Sequence, residues 1–379
     1  MSQIKNFKLF KLAFAMGGFV ATSSCNANSA PITNQNSGAS AVSQSQGKNA
    51  RENSALQISV SNLNDSMNNF TKSPHYMGST AQIQYGEELR EKLMSFGWKV
   101  EKQEFEAIVP NINHITLGGK ESVSSIIKKI KGINIVASLA GNDNCVLILG
   151  GHYDTKYFKE FHFVGANDGG SSTVLQLELA RILSEKKKLN PKNSTGKWRD
   201  CTLVNVFFDG EEAQLSDWYS AENDPKITQA YNALLNQNSI QKTESKPLED
   251  HLYGSTAFAN SLTQGKGFMA WENKPIAIAI VIDMIGHKNQ TIFITQGSNP
   301  QVSDRILALK DTVKISRTSE VIQDDHIPLK NKGINVVHMI DWTNIADHWH
   351  RPSDNIQIIS TQKIANFGEV LLRFMDEQK

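Results

Sequence analysis

Apolar residues follow two patterns along the chain. Six short runs are apolar almost throughout, as strands buried on both faces of a sheet should be; they lie at 133–139, 145–151, 202–208, 276–282, 291–295 and 334–340. Elsewhere apolar residues recur at helical spacing, which predicts helices over 80–96, 172–186, 253–262, 302–310 and 361–376. This alternation predicts an α/β fold with a mostly parallel, mixed central sheet that helices cover on both faces.

The N-terminal part of the chain lacks these patterns. Lysines, a short apolar stretch and then small residues precede Cys25, an order typical of a bacterial export signal. Residues 26–54 are mostly Asn, Ser, Gln, Ala and Gly, which is too polar for a packed core. We therefore expect a signal peptide at 1–25, a disordered tether at 26–54 and one folded domain at 55–379.

The cysteines and the net charge limit the surroundings of the protein. Residues 22–25 resemble a lipoprotein cleavage site; if it is used, Cys25 carries a lipid and attaches the protein to a membrane. The expected location is therefore outside the cytoplasm, either periplasmic or membrane-anchored. Cys145 and Cys201 either pair or remain two buried thiols, because sequence does not give their distance. A formal net charge of +1 gives no field that attracts nucleic acid, so no nucleic-acid partner is expected.

Side chains that bind metals or move protons follow several predicted strands. In open α/β sheets, ligands bind beyond the carboxyl ends of the strands, so we expect these side chains to gather at one edge. Another carboxylate, Asp168, lies in a glycine-rich loop directly before the helix predicted at 172–186. The residues that follow strands are His152, Asp154, Asp209, Glu211, Glu212 and Asp283 and, after a longer loop, Trp349 and His350.

Each of these residues also has a purely structural interpretation. Asp168 could stabilise a helix N-terminus, His152 could be a hydrogen-bonded core histidine, and Asp283 could cap a turn. Trp349 could serve packing alone, and Lys156 could be a solvated charge. Independent structural roles would not need to gather at one edge, however, and Asp, Glu and His are suitable zinc ligands. Because neither an HExxH helix nor a CxxC pair is present, any metal site must be assembled from separate loops.

Seven short motifs contain these candidate side chains. In chain order they are HYDTK (152–156), VGANDGGSS (164–172), FFDGEEA (207–213), LYGS (252–255), DMIG (283–286), QDDHIPL (323–329) and WH (349–350). Together they resemble a known family, the animal-type glutaminyl-peptide cyclotransferases of the wider zinc-aminopeptidase superfamily, and QDDHIPL and WH indicate the cyclase branch. The resemblance covers residues 75–376 and implies a single-domain, zinc-aminopeptidase-like fold.

The resemblance implies a zinc enzyme that converts the N-terminal glutamine of peptides and proteins to pyroglutamate and releases ammonia. It implies one Zn²⁺ per chain, held by Asp168, Glu212 and His350, with Glu211 as the acid and base. Adjacent residues that leave a strand in extended geometry point to opposite sides, so the two glutamates can have different roles. Asp209 is expected to form only a structural hydrogen bond.

The resemblance also implies the residues that bind the substrate. Asp283 would bind the α-amine and share a hydrogen-bond network with Asp324. Trp349 would line the pocket, and the backbone of Gln323 would contact the γ-amide. Trp218 resembles a second pocket tryptophan, although it stands one residue further from the two glutamates than in the animal pattern.

Two departures and two rival functions accompany this interpretation. Gly151 and Thr173 stand where the animal enzymes have a disulfide, and the polar insert at 219–250 is longer than the animal loop.

One rival function is that of a zinc aminopeptidase of the same superfamily, in which His152 and Asp283 complete a second metal site. The other is a catalytically inactive surface-binding lipoprotein, which predicts the loss of a ligand or of the catalytic glutamate, and none is lost.

Overall fold

The computed structural model describes residues 56–111, 123–189, 195–215, 223–237, 247–263 and 273–379. The expected signal peptide, Cys25, the tether and Trp218 lie outside these described residues. Within them, no helix combines the length and the apolar character needed to cross a membrane.

Eight described strands form one mixed sheet. Its order is β1-β2-β4-β3-β5-β8-β6-β7; β4, β3, β5 and β8 run parallel, while β2 is antiparallel to both β1 and β4. The predicted fold class is confirmed. The strands are β1 (Lys99–Pro110), β2 (Ile127–Leu139), β3 (Val146–His152), β4 (Thr202–Phe208), β5 (Ile276–Asp283), β6 (Ile292–Ile294), β7 (Ile315–Arg317) and β8 (Val336–Ile340).

Helices cover both faces of the sheet. The five helices predicted from apolar spacing are present within a few residues at each end, and short 3₁₀ turns at Trp198–Asp200 and Ile356–Ile358 add to them. The helices are α1 (Val60–Phe70), α2 (Thr80–Ser95), α3 (Val123–Ile126), α4 (Gly170–Leu189), α5 (Pro225–Gln237), α6 (Tyr253–Thr263), α7 (Pro300–Ala308), α8 (His326–Asn331) and α9 (Thr361–Met375).

The six predicted strands are all found, but β1, β7, α1, α3 and α8 were not predicted. Among the described strands, β1 pairs with β2 alone, and β1 is half solvated, so its apolar residues do not form a continuous run. The first helix had an available signal, because Leu63, Met67 and Phe70 are buried at helical spacing and Ser59 caps the N-terminus.

Side chains of the central strands alternate between two apolar clusters. On β3, Leu147 and Leu149 belong to the larger cluster, which α1, α2, α4 and α9 complete. Val146 and Ile148 belong to the smaller cluster, which Phe258 of α6 and Leu329 of α8 cover. Burial on both faces explains why the central strands read as unbroken apolar runs.

The first part of β2 projects past the end of β4. In the antiparallel register Ile135 lies opposite Phe207 and β4 ends at Phe208, so residues 127–133 extend beyond the edge at which the parallel strands finish. On this projection, Ile127 packs in a small cluster with Ile227 of α5. The described part of the 219–250 insert is therefore attached to the edge of the sheet that carries the acidic residues.

Cys145 and Cys201 form a disulfide, which settles the alternative left open by the sequence. They immediately precede the starts of β3 and β4. The bond therefore joins two parallel strands at the edge opposite their carboxyl ends.

Candidate metal centre and active site

The predicted site residues lie where the central strands end. His152 and Asp283 are the last residues of β3 and β5, and Asp168 lies two residues before α4. Glu211 and Glu212 follow β4 after Gly210, whose φ of +72° belongs to the left-handed region that favours glycine. The chain can thus turn sharply and direct two consecutive carboxylates back over the end of the sheet.

Asp168, Glu212 and His350 come together as the resemblance implied. The Nε2 of His350 lies 3.2 Å from the Oε2 of Glu212 and 3.7 Å from the Oδ2 of Asp168. Ligands of a tetrahedral zinc ion are about 3.3 Å apart, given metal–ligand bonds of 2.0–2.1 Å. Among the described residues, the buried Oδ2 of Asp168 and Oε1 of Glu212 have no hydrogen-bond partner. The donor set and its unpartnered oxygens therefore fit a divalent cation.

A second group of possible ligands shares Asp168. The Nε2 of His152 lies 3.3 Å from the Oδ1 of Asp168 and 3.2 Å from the Oδ1 of Asp283. That nitrogen is also buried without a hydrogen-bond partner in the described structure. The arrangement could hold a second ion beside the first, as the aminopeptidase interpretation requires.

Glu211 and Glu212 have different electrostatic surroundings. Burial raises the pKa of Glu211 well above its usual range, and the charges of Asp324 and Glu212 add to this effect over the opposing influence of His152. Burial alone would also raise the pKa of Glu212, but His350 and then Lys156 outweigh burial and hold that pKa at about 2. Glu212 is thus suited to remain an anionic ligand, while Glu211 can hold a proton.

A buried aspartate holds the backbone of this pair. The Oδ1 of Asp154 accepts a hydrogen bond from the amide of Glu211 (3.1 Å), and its Oδ2 accepts one from the amide of Glu212 (3.4 Å). The sequence placed Asp154 at this edge but gave it no role. Two amides held by one carboxylate fix the orientation of the residues that carry the carboxyl groups.

Lys156 is buried, so its interpretation as a solvated charge is wrong. Its Nζ donates to the carbonyl oxygen of Ala213 (2.8 Å) and lies 3.7 Å from the Oε2 of Glu212. Asp209 has the structural hydrogen bonds expected of it, because its Oδ2 accepts from the amide of Ile133 (2.7 Å) and from Gln82 (2.8 Å).

Asp324 forms a buried ion pair with His338, with 2.9 Å between Oδ2 and Nε2. Burial alone would raise the pKa of Asp324, but His338 outweighs it and lowers that pKa to about 2. The His338 ring stacks on that of His326 at 4.0 Å, with an interplanar angle of 11°. Lone pairs in two parallel rings do not converge on one point, so we interpret this cluster as an ion pair and not as a metal site.

Two of the expected substrate-binding residues, Trp349 and Gln323, are exposed, and Trp349 contacts the triad. The ring of Trp349 stacks on that of His350 at 4.1 Å, and the residue is 43% exposed, so part of its surface is free. Gln323 is exposed and precedes the buried Asp324. Phe158 and Phe163 also pack against the His350 ring in edge-on geometry, each with 5.9 Å between ring centroids. Three aromatic side chains thus contact this candidate ligand.

Residues 134–375 match the model of peptidase family M28, which covers more than half of the chain. The chain belongs to peptidase family M28. Proteins that are similar to this chain in sequence include two curated glutaminyl-peptide cyclotransferases. The enzyme of Dictyostelium discoideum is 24% identical over 60% of this chain and 59% of its own length. The enzyme of Drosophila melanogaster is 23% identical over 79% of this chain and 76% of its own length. These relatives confirm the family resemblance found in the motifs.

Solved M28-like structures confirm the fold. The glutaminyl cyclase of Fimbriiglobus ruber superposes with a TM-score of 0.62 at 22% identity and covers 85% of this chain and 96% of that one. A Zn-dependent exopeptidase of Parabacteroides distasonis gives 0.59 at 19% identity, with 85% and 99% covered. Because both kinds of protein share the architecture, the fold alone does not choose between them.

Proposed function

We propose that the protein is a zinc-dependent glutaminyl-peptide cyclotransferase that acts on peptides and proteins with N-terminal glutamine. The observation that carries the proposal is the position of Glu211, which neighbours the metal ligand Glu212 in the chain and whose pKa is raised in part by the charge of Asp324. A carboxyl group that can carry a proton is therefore close both to the candidate cation site and to the buried carboxylate of Asp324.

Asp168, Glu212 and His350 would hold the metal ion. A zinc ion there would polarise the γ-carbonyl of the glutamine as a Lewis acid and stabilise charge on its oxygen. Burial, and then the charge of the neighbouring Glu212, raise the pKa of Asp168 to about 6, and a bound cation would favour the charged form of this carboxyl group.

Glu211 would move the proton during ring closure. The α-amine nitrogen attacks the γ-carbonyl carbon, the bond from that carbon to the amide nitrogen breaks, and ammonia leaves. The amine must lose a proton and the departing nitrogen must gain one. A single carboxylate in reach of both nitrogens can accept the proton and then donate it, so no second acid is required.

Asp283 and the aromatic surfaces would orient the substrate. The Asp283 carboxylate is buried and lies at the same edge, where it can accept a hydrogen bond from the α-amine. Holding the amine close to the γ-carbonyl replaces a search through the rotamers of glutamine by a near-attack arrangement. The exposed face of Trp349 would pack against the aliphatic part of the same side chain.

A zinc exopeptidase is the second candidate, and a specific observation favours it. His152, Asp168 and Asp283 form a compact group that could hold a second ion. In that case Asp283 would bind metal and could not bind the amine. The two functions therefore differ in metal stoichiometry and in the fate of the substrate.

One experiment separates them. Purified protein loaded with Zn²⁺ is given a peptide with N-terminal glutamine, the same peptide with an acetylated α-amine, and an amino-acyl anilide. The cyclase predicts ammonia and a pyroglutamyl product from the first substrate only, with one zinc per chain. Hydrolysis of the anilide or of the peptide bond, without ammonia from the first substrate, would overturn the proposal.

We further propose that the mature protein is exported and is attached to a membrane through lipidated Cys25. The disulfide between Cys145 and Cys201 supports export, because such bonds persist in oxidising compartments. Cell fractionation of the native protein and of a Cys25→Ala variant tests the anchor. Release of the variant alone into the soluble periplasmic fraction is expected, and identical fractionation of the two proteins would contradict the anchor.

A further inference from the structure

Asp354 lies four residues after His350 and is fully buried. Its Oδ1 accepts a hydrogen bond from the amide of Asn167 at 2.8 Å, and its Oδ2 accepts one from the amide of Asp168 at 3.1 Å. Its carbonyl oxygen also accepts from the amide of Ala166 at 3.4 Å. One residue thus holds three consecutive amides of the loop that ends in the candidate ligand Asp168.

On the other side, Asp354 closes the turn that carries His350. The amides of His348 and Trp349 both donate to the carbonyl oxygen of Ile345 at 2.7 Å. The amide of Asp354 donates to the carbonyl oxygen of Arg351 at 3.0 Å. These bonds make 345–354 a compact turn. Its C-terminal end is joined to the Asp168 loop through the Asp354 carboxylate.

His350 needs such support because its backbone is strained. Its φ of +56° lies in the left-handed region, which residues with a β-carbon rarely adopt. A conformation of this kind persists only where the surrounding structure imposes it. The turn imposes the conformation locally, and the attachment of Asp354 to the neighbouring loop fixes where the turn places the imidazole.

We propose that Asp354 is a positioning residue of the metal centre. It joins the loop of Asp168 to the turn of His350 and so sets the separation of these two ligands before any ion binds. The inference rests on the metal triad of the proposed function, but it does not depend on which reaction follows. A ligand pair held in advance loses less conformational freedom on binding the ion, so removal of the carboxylate must weaken metal binding.

The test measures zinc affinity without measuring catalysis. Wild type, Asp354→Asn and Asp354→Ala are stripped of metal and titrated with Zn²⁺ against a chromogenic chelator, and the melting temperature of each is recorded with and without zinc. Partners that orient ligands typically contribute about 10- to 100-fold in metal affinity. We expect a loss of this size for Asp354→Ala and a smaller loss for Asp354→Asn, which keeps one acceptor. The rise in melting temperature on adding zinc should shrink in the same order.

Asp200 provides a matched control at the opposite edge of the sheet. Its Oδ2 accepts from the amides of Thr195 (2.8 Å) and Lys197 (3.2 Å), so Asp200→Asn also removes a carboxylate that holds two backbone amides. This variant should be less stable but bind zinc as the wild type does.

Several outcomes would overturn the inference. Wild-type zinc affinity in both Asp354 variants, with a lower melting temperature of the metal-free proteins, would leave Asp354 a purely structural role. If Asp354→Ala does not fold, wild-type affinity in Asp354→Asn alone suffices to reject the inference. A wild type that binds no zinc would remove both the inference and the proposed function. Weakened zinc binding in a protein that does not cyclise glutamine would support the inference and reject only the proposed reaction.

Discussion

Glu211 and Glu212 are adjacent in the chain, yet their surroundings move their pKa values in opposite directions. The amides of both are held by Asp154, so the difference arises in the side chains and not in the backbone. Glu212 faces His350 and Lys156, whereas Glu211 is near the acidic Asp324. Two identical side chains thereby acquire the properties of a ligand and of a proton carrier.

This contrast predicts different effects of the same substitution at the two positions. Glu211→Gln should lower kcat by about 100- to 10,000-fold, the usual contribution of a general acid and base. Its zinc affinity should match that of the wild type, because no ligand is removed. Glu212→Gln should lose zinc affinity first and activity as a consequence. Steady-state ammonia release and zinc titration of both variants are the measurements.

The two readouts also serve as controls for each other. A Glu211→Gln variant with full activity would contradict the proposed proton carrier. A Glu212→Gln variant that keeps wild-type zinc affinity would exclude Glu212 as a ligand, whatever its effect on activity.

The buried pair of Asp324 and His338 predicts a loss of stability on neutralising the aspartate. Asp324→Asn removes a hydrogen bond to a charged group, which costs about 1.5–3 kcal/mol in the free energy of unfolding. The zinc affinity should not change, because neither residue belongs to the triad of Asp168. Urea unfolding of the metal-free protein measures the effect.

Asp325 is a suitable control because it is also buried and adjacent. Burial, and then the charge of Asp324, raise the pKa of Asp325 well above its usual range. Its side chain therefore holds a proton more firmly than an ordinary carboxyl group does, and an asparagine resembles the protonated form closely in shape and charge. Equal destabilisation by Asp324→Asn and Asp325→Asn would contradict the ion pair as the source of the effect.

The sequence predicted the edge at which the site forms because that prediction needs only the order of strands. Glu211, Glu212 and Asp283 directly follow buried apolar runs, and parallel strands place such positions together. The assignment of ligands came from the family resemblance, and the structure brings Asp168, Glu212 and His350 within reach of one ion.

Contacts between distant parts of the chain could not be predicted in this way. Lys156 is buried because the carbonyl oxygen of Ala213, 57 residues away, accepts from it, and Asp354 meets Asp168 across 186 residues. The pairing of Cys145 with Cys201 likewise depends on the neighbouring positions of β3 and β4 in the sheet. No local pattern of polar and apolar residues reports such distances.

The disulfide predicts a large loss of stability without loss of catalysis. Its 56-residue separation implies that a Cys145→Ser, Cys201→Ser variant loses about 4 kcal/mol of unfolding free energy, in the chain-entropy model. Because the bond lies at the edge opposite the metal triad, kcat should not change below the melting temperature. Urea unfolding and ammonia release are the measurements, with thiol titration confirming the oxidised wild type. Equal stability of the two proteins would contradict the prediction.

Asp250 predicts a contribution to stability that depends on pH. Its carboxylate accepts hydrogen bonds from the amides of Gln214 (3.1 Å) and Leu215 (3.0 Å) and from the hydroxyl of Tyr253 (2.7 Å). Burial nevertheless raises its pKa from the ordinary 3.8 to about 6, against the lowering effect of these bonds and of Lys156. The folded protein therefore binds this proton more tightly than the unfolded chain does.

A raised pKa of this kind stabilises the fold at low pH. The contribution is fully present below the unfolded value of 3.8 and is lost as the pH rises through about 6. Its full size is about 3 kcal/mol. We expect the difference in unfolding free energy between wild type and Asp250→Asn to change by up to this amount between pH 4 and 7, in favour of the variant at the higher pH. Replacement of the exposed Asp65 by Asn should leave the wild-type slope unchanged. Parallel profiles for wild type and Asp250→Asn would show that the carboxylate titrates alike in both states and would contradict the prediction.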